Sequence, residues 1–234
     1  MKLCMFHPVD HPMKRGWVGR IDGEHVIQLA AQNLQAFFTG GASAREHAVY
    51  PLAGVCLLAP VLNPPSVRIF EDQQSFAFAN PAAIMGPNTE VEHRSSDDWV
   101  WLDLHPRLAA IVGANGEIAG FTIFAEWRAP ELPAPKDRDF ALGLGPMVVT
   151  LDEALAALEA IVRVFDDEVL RARFEGFDWR AAHDLAAEGT TLSPGDVIAG
   201  PALGVVERIQ PASELELEVE GLGMLSQSVH PVEV

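Results

Sequence analysis

Glycine and proline interrupt the apolar runs of this chain along its whole length, 19 and 17 of them in 234 residues, without forming a low-complexity tract. Inside a helix these residues cost about 1 and 3 kcal/mol each, whereas short strands joined by turns accommodate them. The pattern therefore predicts many turns and short strands, an α+β chain in which β-structure dominates. With 49% hydrophobic residues the chain can bury a full core, and its length suits one domain plus a small appendage.

Lys and Arg number 16 against 33 Asp and Glu, a formal net charge of -17. Such a field repels phosphate backbones, and no basic cluster offsets it, so nucleic acid is not an expected partner. No apolar stretch approaches the roughly 20 residues needed to cross a bilayer, and the first residues lack the pattern of an export signal. A cytoplasmic protein without membrane contact is the expectation. Cys4 and Cys56 have no CxxC spacing, so both are read as reduced and buried, with neither a disulfide framework nor a thiolate zinc site.

Residues 1–62 read as a small N-terminal α/β domain. Trp17 to Arg20, a turn at Asp22-Gly23 and His25 to Leu29 form a hairpin. Helical segments are expected over Ala30–Phe38 and, with Ser43 as N-cap, over Ala44–His47. The proline-rich run from Leu58 to Pro65 reads as a linker to a second domain, 66–234. There, β-type runs cover Ser75–Phe78, Leu108–Val112, Phe121–Phe124 and Met147–Thr150. Thr150 with Glu153 fits a capping box opening a helix through Ala157. Ile161–Phe165 and Val169–Phe174 flank Asp166-Asp167 as a hairpin, with a continuous helix as the competing reading. Asp178 can cap a helix over Trp179–Glu188 ending at Gly189. Leu192 to Asp196 reads as a tight turn into Val197-Ile198, and Leu215–Val219 alternates as a half-exposed strand should.

An ordered series of segments then narrows the fold. Ser75-Phe-Ala-Phe-Ala-Asn-Pro-Ala-Ala-Ile84 with Gly86-Pro87 is followed by Leu108-Ala-Ala-Ile-Val-Gly113, Ala119-Gly-Phe-Thr-Ile-Phe124, Lys136-x-x-Asp139 with Gly143-Leu-Gly-Pro146, Leu192-Ser-Pro-Gly-Asp-Val-Ile198 and Gly221-Leu-Gly-Met-Leu225. This combination resembles the fumarylacetoacetate hydrolase family over nearly the whole chain. The resemblance implies a mixed β-roll or sandwich catalytic domain behind the small N-terminal domain, and a homodimer. It also implies a divalent metal, Mg, Mn or Ca, that binds the vicinal oxygens of a 2-oxo acid or β-diketone during C–C hydrolysis, decarboxylation or tautomerisation.

The family's metal-binding carboxylates are largely replaced. Its Glu-x-Glu falls on His105-Pro106-Arg107, two residues apart on one strand face. Its aspartate falls on Glu126 within Ala125-Glu-Trp-Arg-Ala-Pro-Glu131, and an earlier aspartate expected after Arg68 is Ile69. The lid segment carrying the water-activating His/Glu pair is missing between Phe70 and Ser75. By this alignment Arg107, Lys136 and Asp139 are the candidate catalytic residues and His105, Glu126 and Arg68 the candidate ligand-binding residues. Glu126 and His105 are weak metal candidates, and no cofactor is expected unless a site for Mg or Mn is retained.

Arg107 has two readings: an ion pair with Glu126 in the vacated metal position, which is favoured, or a guanidinium that binds a carboxylate or enolate directly. Lys136 and Asp139 read equally as an ion pair fixing a loop or as functional groups. The remaining histidines, His7, His11, His47, His93, His183 and His230, read as surface or structural, and the Trp99/Trp101 pair as aromatic packing or a dimer contact. A local shift of alignment would bring Asp103 or Glu131 to Glu126 instead. The expected function is that of a pseudoenzyme-like binder of a small 2-oxo acid or dicarboxylate. The alternative is an active hydrolase, decarboxylase or tautomerase of a 2-oxo acid or acylpyruvate, with Arg107 and Lys136 in the metal's place or with a rearranged metal site.

Overall fold

The computed structural model describes residues 1–92, 101–153 and 158–230. After β1 (Lys2–Pro8), the N-terminal hairpin of β2 (Trp17–Asp22) and β3 (His25–Leu29) forms as expected. Helix α1 (Leu34–Thr39) starts later than Ala30, because Asn33 caps it by accepting the Ala36 N–H at 2.8 Å. The helix expected over Ala44–His47 is absent. Those residues lead into a strand, β4 (Glu46–Pro51), paired with β3. Its Ala48 and Tyr50 turn inward while His47 and Val49 face solvent, so a period of two prevails over the capping potential of Ser43. Strand β5 (Val55–Leu58) pairs with β1. The proline-rich run that follows is packed, not a solvated linker: Ala59 and Val61 are buried in one cluster with Met5 and Leu144.

The chain continues through β6 (Val67–Phe70), β7 (Phe76–Ala79), β8 (Ile84–Met85), β9 (Thr89–Val91), β10 (Leu102–Val112), β11 (Ile118–Arg128) and β12 (Leu142–Thr150). Thr150 does not form the capping box. Its hydroxyl meets the Met1 ammonium and Asp152, and only its carbonyl accepts the Glu153 N–H. Most of the helix expected there, residues 154–157, lies outside the described residues, as does Trp99.

Strands β13 (Glu159–Val164) and β14 (Asp167–Arg173) make the predicted hairpin, not a helix. Phe165 and Asp166 carry the two left-handed backbone conformations of its tight turn, at φ of 50° and 69°. Helix α2 (Trp179–Ala187) is capped by Asp178, whose carboxylate accepts the N–H groups of Arg180 and Ala181. Strands β15 (Val197–Ala199), β16 (Val206–Ile209), β17 (Glu214–Val219) and β18 (Gly223–Val229) complete the order.

Among the described residues one sheet has 13 strands, in the order β4-β3-β2-β1-β12-β11-β10-β15-β6-β7, with β5, β8 and β16 pairing from the side. The β1–β12 pairing carries the N-terminal strands into this sheet. A second sheet of five strands runs β14-β13-β17-β18-β9. The two face each other across a core in which Leu104, Ile123 and Trp127 meet Val162, Leu217 and Leu225. Trp127, fully buried, donates its indole N–H to Gln227 at 2.8 Å and so ties the sheets together. Glycine at 143 is required by this contact, since a Cβ there would sit 2.6 Å from the Gln227 amide oxygen. On the opposite face of the large sheet, Ala109, Ile111 and Phe124 pack with α1 and the N-terminal strands. Helix α2 covers Ala110, Val112 and Ile198.

Candidate functional site

The β10–β11 ladder sets the geometry. His105 is paired in register with Glu126, Arg107 with Phe124 and Asp103 with Arg128. Because side chains alternate, Asp103, His105 and Arg107 share the strand face used by Glu126 and Arg128. Pro106 fits between them in a central strand because its carbonyl accepts from Leu203. The donor that proline lacks thus faces the irregular segment 200–203 and leaves the ladder to β11 intact.

Arg107 is fully buried, and each of its three nitrogens is engaged within the protein. Nε donates to Glu126 Oε2 at 2.8 Å, and Nη1 donates to the carbonyls of Phe70 and Gly200, each at 2.9 Å. Nη2 reaches Glu71 Oε2 at 2.9 Å and Glu126 Oε2 at 2.7 Å. The guanidinium thereby joins β10, β11, the end of β6 and the segment after β15. Arg128 binds the same carboxylates from the other side, with Nε on Glu126 Oε1 at 2.9 Å and Nη2 on Glu71 Oε1 and Glu126 Oε2. Arg138 completes the group. Its Nη1 is 3.9 Å from Glu71 and 4.0 Å from Glu126, and its Nε donates to Asp137 at 3.0 Å. Three guanidinium groups, Arg107, Arg128 and Arg138, thus face three carboxylates, Glu71, Glu126 and Asp137.

Electrostatics follow from this arrangement. Burial raises the Glu71 carboxyl, but hydrogen bonds and charge from Arg107 and Arg128 outweigh it and hold the group at about 2. Burial, reinforced by the positive charge of Arg128, pushes His105 down to about 4, so its imidazole is neutral at pH 7.

The remaining sequence candidates lie elsewhere or are otherwise engaged. Lys136 is largely exposed and pairs with Asp139 at 2.7 Å, three residues along the same loop. Arg68 is buried on β6, where it meets the Ser66 hydroxyl, lies 3.7 Å from Asp196 and covers the ring of Phe78 at 5.2 Å. Asp103 accepts the Arg208 N–H, and Glu131 is exposed in a turn. Trp101 stacks against Arg208 at 4.6 Å. Cys4 is buried, with its thiol pushed up to about 12 by that burial, whereas Cys56 is only half-buried. Sequence reasoning missed Glu71, Arg128 and Arg138. Arg128 was legible two residues beyond Glu126, on the same strand face.

Two cavities have other linings. One of about 230 Å³ lies among Met5, Arg15, Asn33 and Leu62. The other, of about 520 Å³, lies among Asn115, Gly116, His183 and Thr190.

No protein-family model matches this sequence, and no curated protein matches it. Solved structures do. Maleylpyruvate hydrolase from Sphingobium sp. SYK-6, in complex with manganese(II) and pyruvate, superimposes with a TM-score of 0.82 at 20% identity, over 100% of both chains. A fumarylacetoacetate hydrolase from Exiguobacterium antarcticum gives 0.83 at 22% identity, over 99% of this chain and 100% of that one. The chain has the fumarylacetoacetate hydrolase fold. A 2-hydroxyhepta-2,4-diene-1,7-dioate isomerase from Mycobacterium marinum shares it at a TM-score of 0.78 and 22% identity, over 100% of both chains. The fumarylacetoacetate hydrolase fold agrees with the architecture expected from the ordered motifs, a β-rich sandwich with few helices.

Whether the Arg107 cluster suits a divalent cation is decided by its donor set. A hard cation needs several free oxygens. Here both oxygens of Glu126 and both of Glu71 are held by guanidinium groups, and a dication beside Arg107 would meet like charge at a few ångströms. These residues do not fit a divalent metal. Among the described residues, the three side chains whose ligand atoms lie within 4.8 Å of one another are Glu90, Glu92 and His230, all exposed, on β9 and just past the ends of β9 and β18. No helix among the described residues is long and apolar enough to cross a membrane.

Proposed function

We propose that this protein binds a small 2-oxo acid or dicarboxylate on the fumarylacetoacetate hydrolase fold without a divalent cation, and does not perform metal-dependent C–C hydrolysis. The observation that carries the reading is the complete internal engagement of Arg107 with Glu126, Glu71 and two backbone carbonyls. A buried guanidinium in that bonding state is a built part of the protein, and withdrawing its carboxylates to serve a metal leaves it uncompensated. The same engagement disfavours Arg107 as a catalytic cation, because no nitrogen is left for an enolate, and Lys136 is tied to Asp139 in solvent. The segment from Phe70 to Ser75 is a short turn in which Asp72 accepts the Gln74 and Ser75 N–H groups, too short for a water-activating lid. A homodimer in the cytoplasm belongs to the same proposal.

A ligand that binds only the folded state raises the melting temperature. The EDTA-treated protein is therefore expected to show no shift with millimolar Mg or Mn and an upward shift with millimolar pyruvate or oxalate. Turnover of an acylpyruvate or oxaloacetate that EDTA abolishes would falsify the proposal.

A further inference from the structure

Every N–H of the Arg107 guanidinium is engaged inside the protein, Lys136 is paired with Asp139 in solvent, and Arg68 is buried on β6 against Ser66, Asp196 and two phenylalanine rings. Two guanidinium groups at the edge of the cluster are different. Arg128, 17% exposed, uses Nε and Nη2 on Glu126 and Glu71, and its Nη1 has no partner among the described residues. Arg138, 33% exposed, uses Nε on Asp137; its Nη1 sits 3.9 to 4.0 Å from the carboxylates and its Nη2 has no partner among the described residues. Both converge on the same oxygens, Glu71 Oε1 and Glu126 Oε1, which fixes them as neighbours.

We propose that Arg128 Nη1 and Arg138 Nη2 form the seat for the ligand's carboxylate, at the solvent edge of the Arg107–Glu126–Glu71 cluster. This rests on the carboxylate-binding function proposed above and assigns residues to it. A guanidinium nitrogen suits a carboxylate, since it presents charged N–H donors in a fixed plane and loses little freedom on binding. Glu71 and Glu126 hold the inner edge of the Arg128 guanidinium and direct its outer edge away from them. Arg107 acts behind this pair as a positioning residue, neutralising Glu71 and Glu126 so that an incoming anion does not meet two uncompensated carboxylates. The ligand class is a small mono- or dicarboxylate.

The test is calorimetric titration of the whole protein with oxalate and with pyruvate, in EDTA. Relative to wild type, Arg138→Gln and Arg128→Gln are each expected to weaken binding about 10- to 100-fold, the loss of a charge-assisted contact. Arg171→Gln, on β14, is expected to change nothing. Among the described residues the Arg138 side chain makes one hydrogen bond, to Asp137, so its variant keeps the fold and decides the matter even where Arg128→Gln lowers the melting temperature. Wild-type binding that both variants retain overturns this assignment and leaves the function proposal standing. No binding of either carboxylate by wild type overturns both, and preference for inorganic phosphate over oxalate overturns the ligand class.

Discussion

At the scale of single residues, the informative group is Glu126. It is fully buried, yet three guanidinium groups lie within 4.0 Å of it. A buried ion pair contributes little net stability over an apolar filling, but removing one partner leaves the other short of counter-charge and of a hydrogen bond, at up to about 3–5 kcal/mol. Glu126→Ala and Arg107→Ala are each expected to cost about that much, and combining them is expected to cost less than the sum, because neither charge is then left alone. Chemical denaturation of the four proteins measures this coupling. Strict additivity would show that the pair is not a unit. Glu71 illustrates what the sequence conceals: it follows β6 as an ordinary acidic residue in a turn, and only the packing of β6 on β15, itself paired with β10, aims it at Arg107.

At the scale of elements, local chemistry and tertiary pairing divided the work. Helix α2 was legible because its signals are local, Asp178 at the N-cap and Gly189 in the left-handed conformation just past its end. Asp178→Ala is expected to cost about 1 kcal/mol, a fall in melting temperature of roughly 2–4 °C for a chain of this size. Asp178→Asn should recover most of it, and a scan showing no difference between the two would remove the cap from the account. The hairpin of β13 and β14 was legible in kind, although its turn falls on Phe165-Asp166, one residue before the expected Asp166-Asp167. Strand β4 was not. Its segment offers a serine cap and a short helix-compatible run, and pairing with β3 overrides both. The segment 58–65 likewise carries linker-like prolines, yet Val61 is buried among side chains distant in sequence.

At the scale of the whole molecule, acid stability sums over the charged cluster. Glu71 is held at about 2 against an ordinary 4.5, and His105 at about 4 against 6.5. In both cases the unfolded chain binds more protons, so stability falls as pH falls, first from 6.5 to 4 through His105 and then from 4.5 towards 2 through Glu71. The melting temperature is expected to decline across both windows, and His105→Gln should flatten the upper one. An unchanged slope between pH 6.5 and 4 in that variant would remove His105 from the cause. The two-sheet architecture was legible in outline, since glycine and proline spacing excludes long helices and the ordered motifs match a known fold. The shared strand face of His105 and Arg107 was legible too, because a period of two puts both side chains on one side of β10. What sequence could not supply is the bonding state of Arg107. That depends on a carboxylate 36 residues away and a carbonyl 93 residues away, brought within hydrogen-bond range only when β6, β10 and β15 pack side by side. Electrostatic energy depends on distance and burial, and neither is written in the order of residues along the chain.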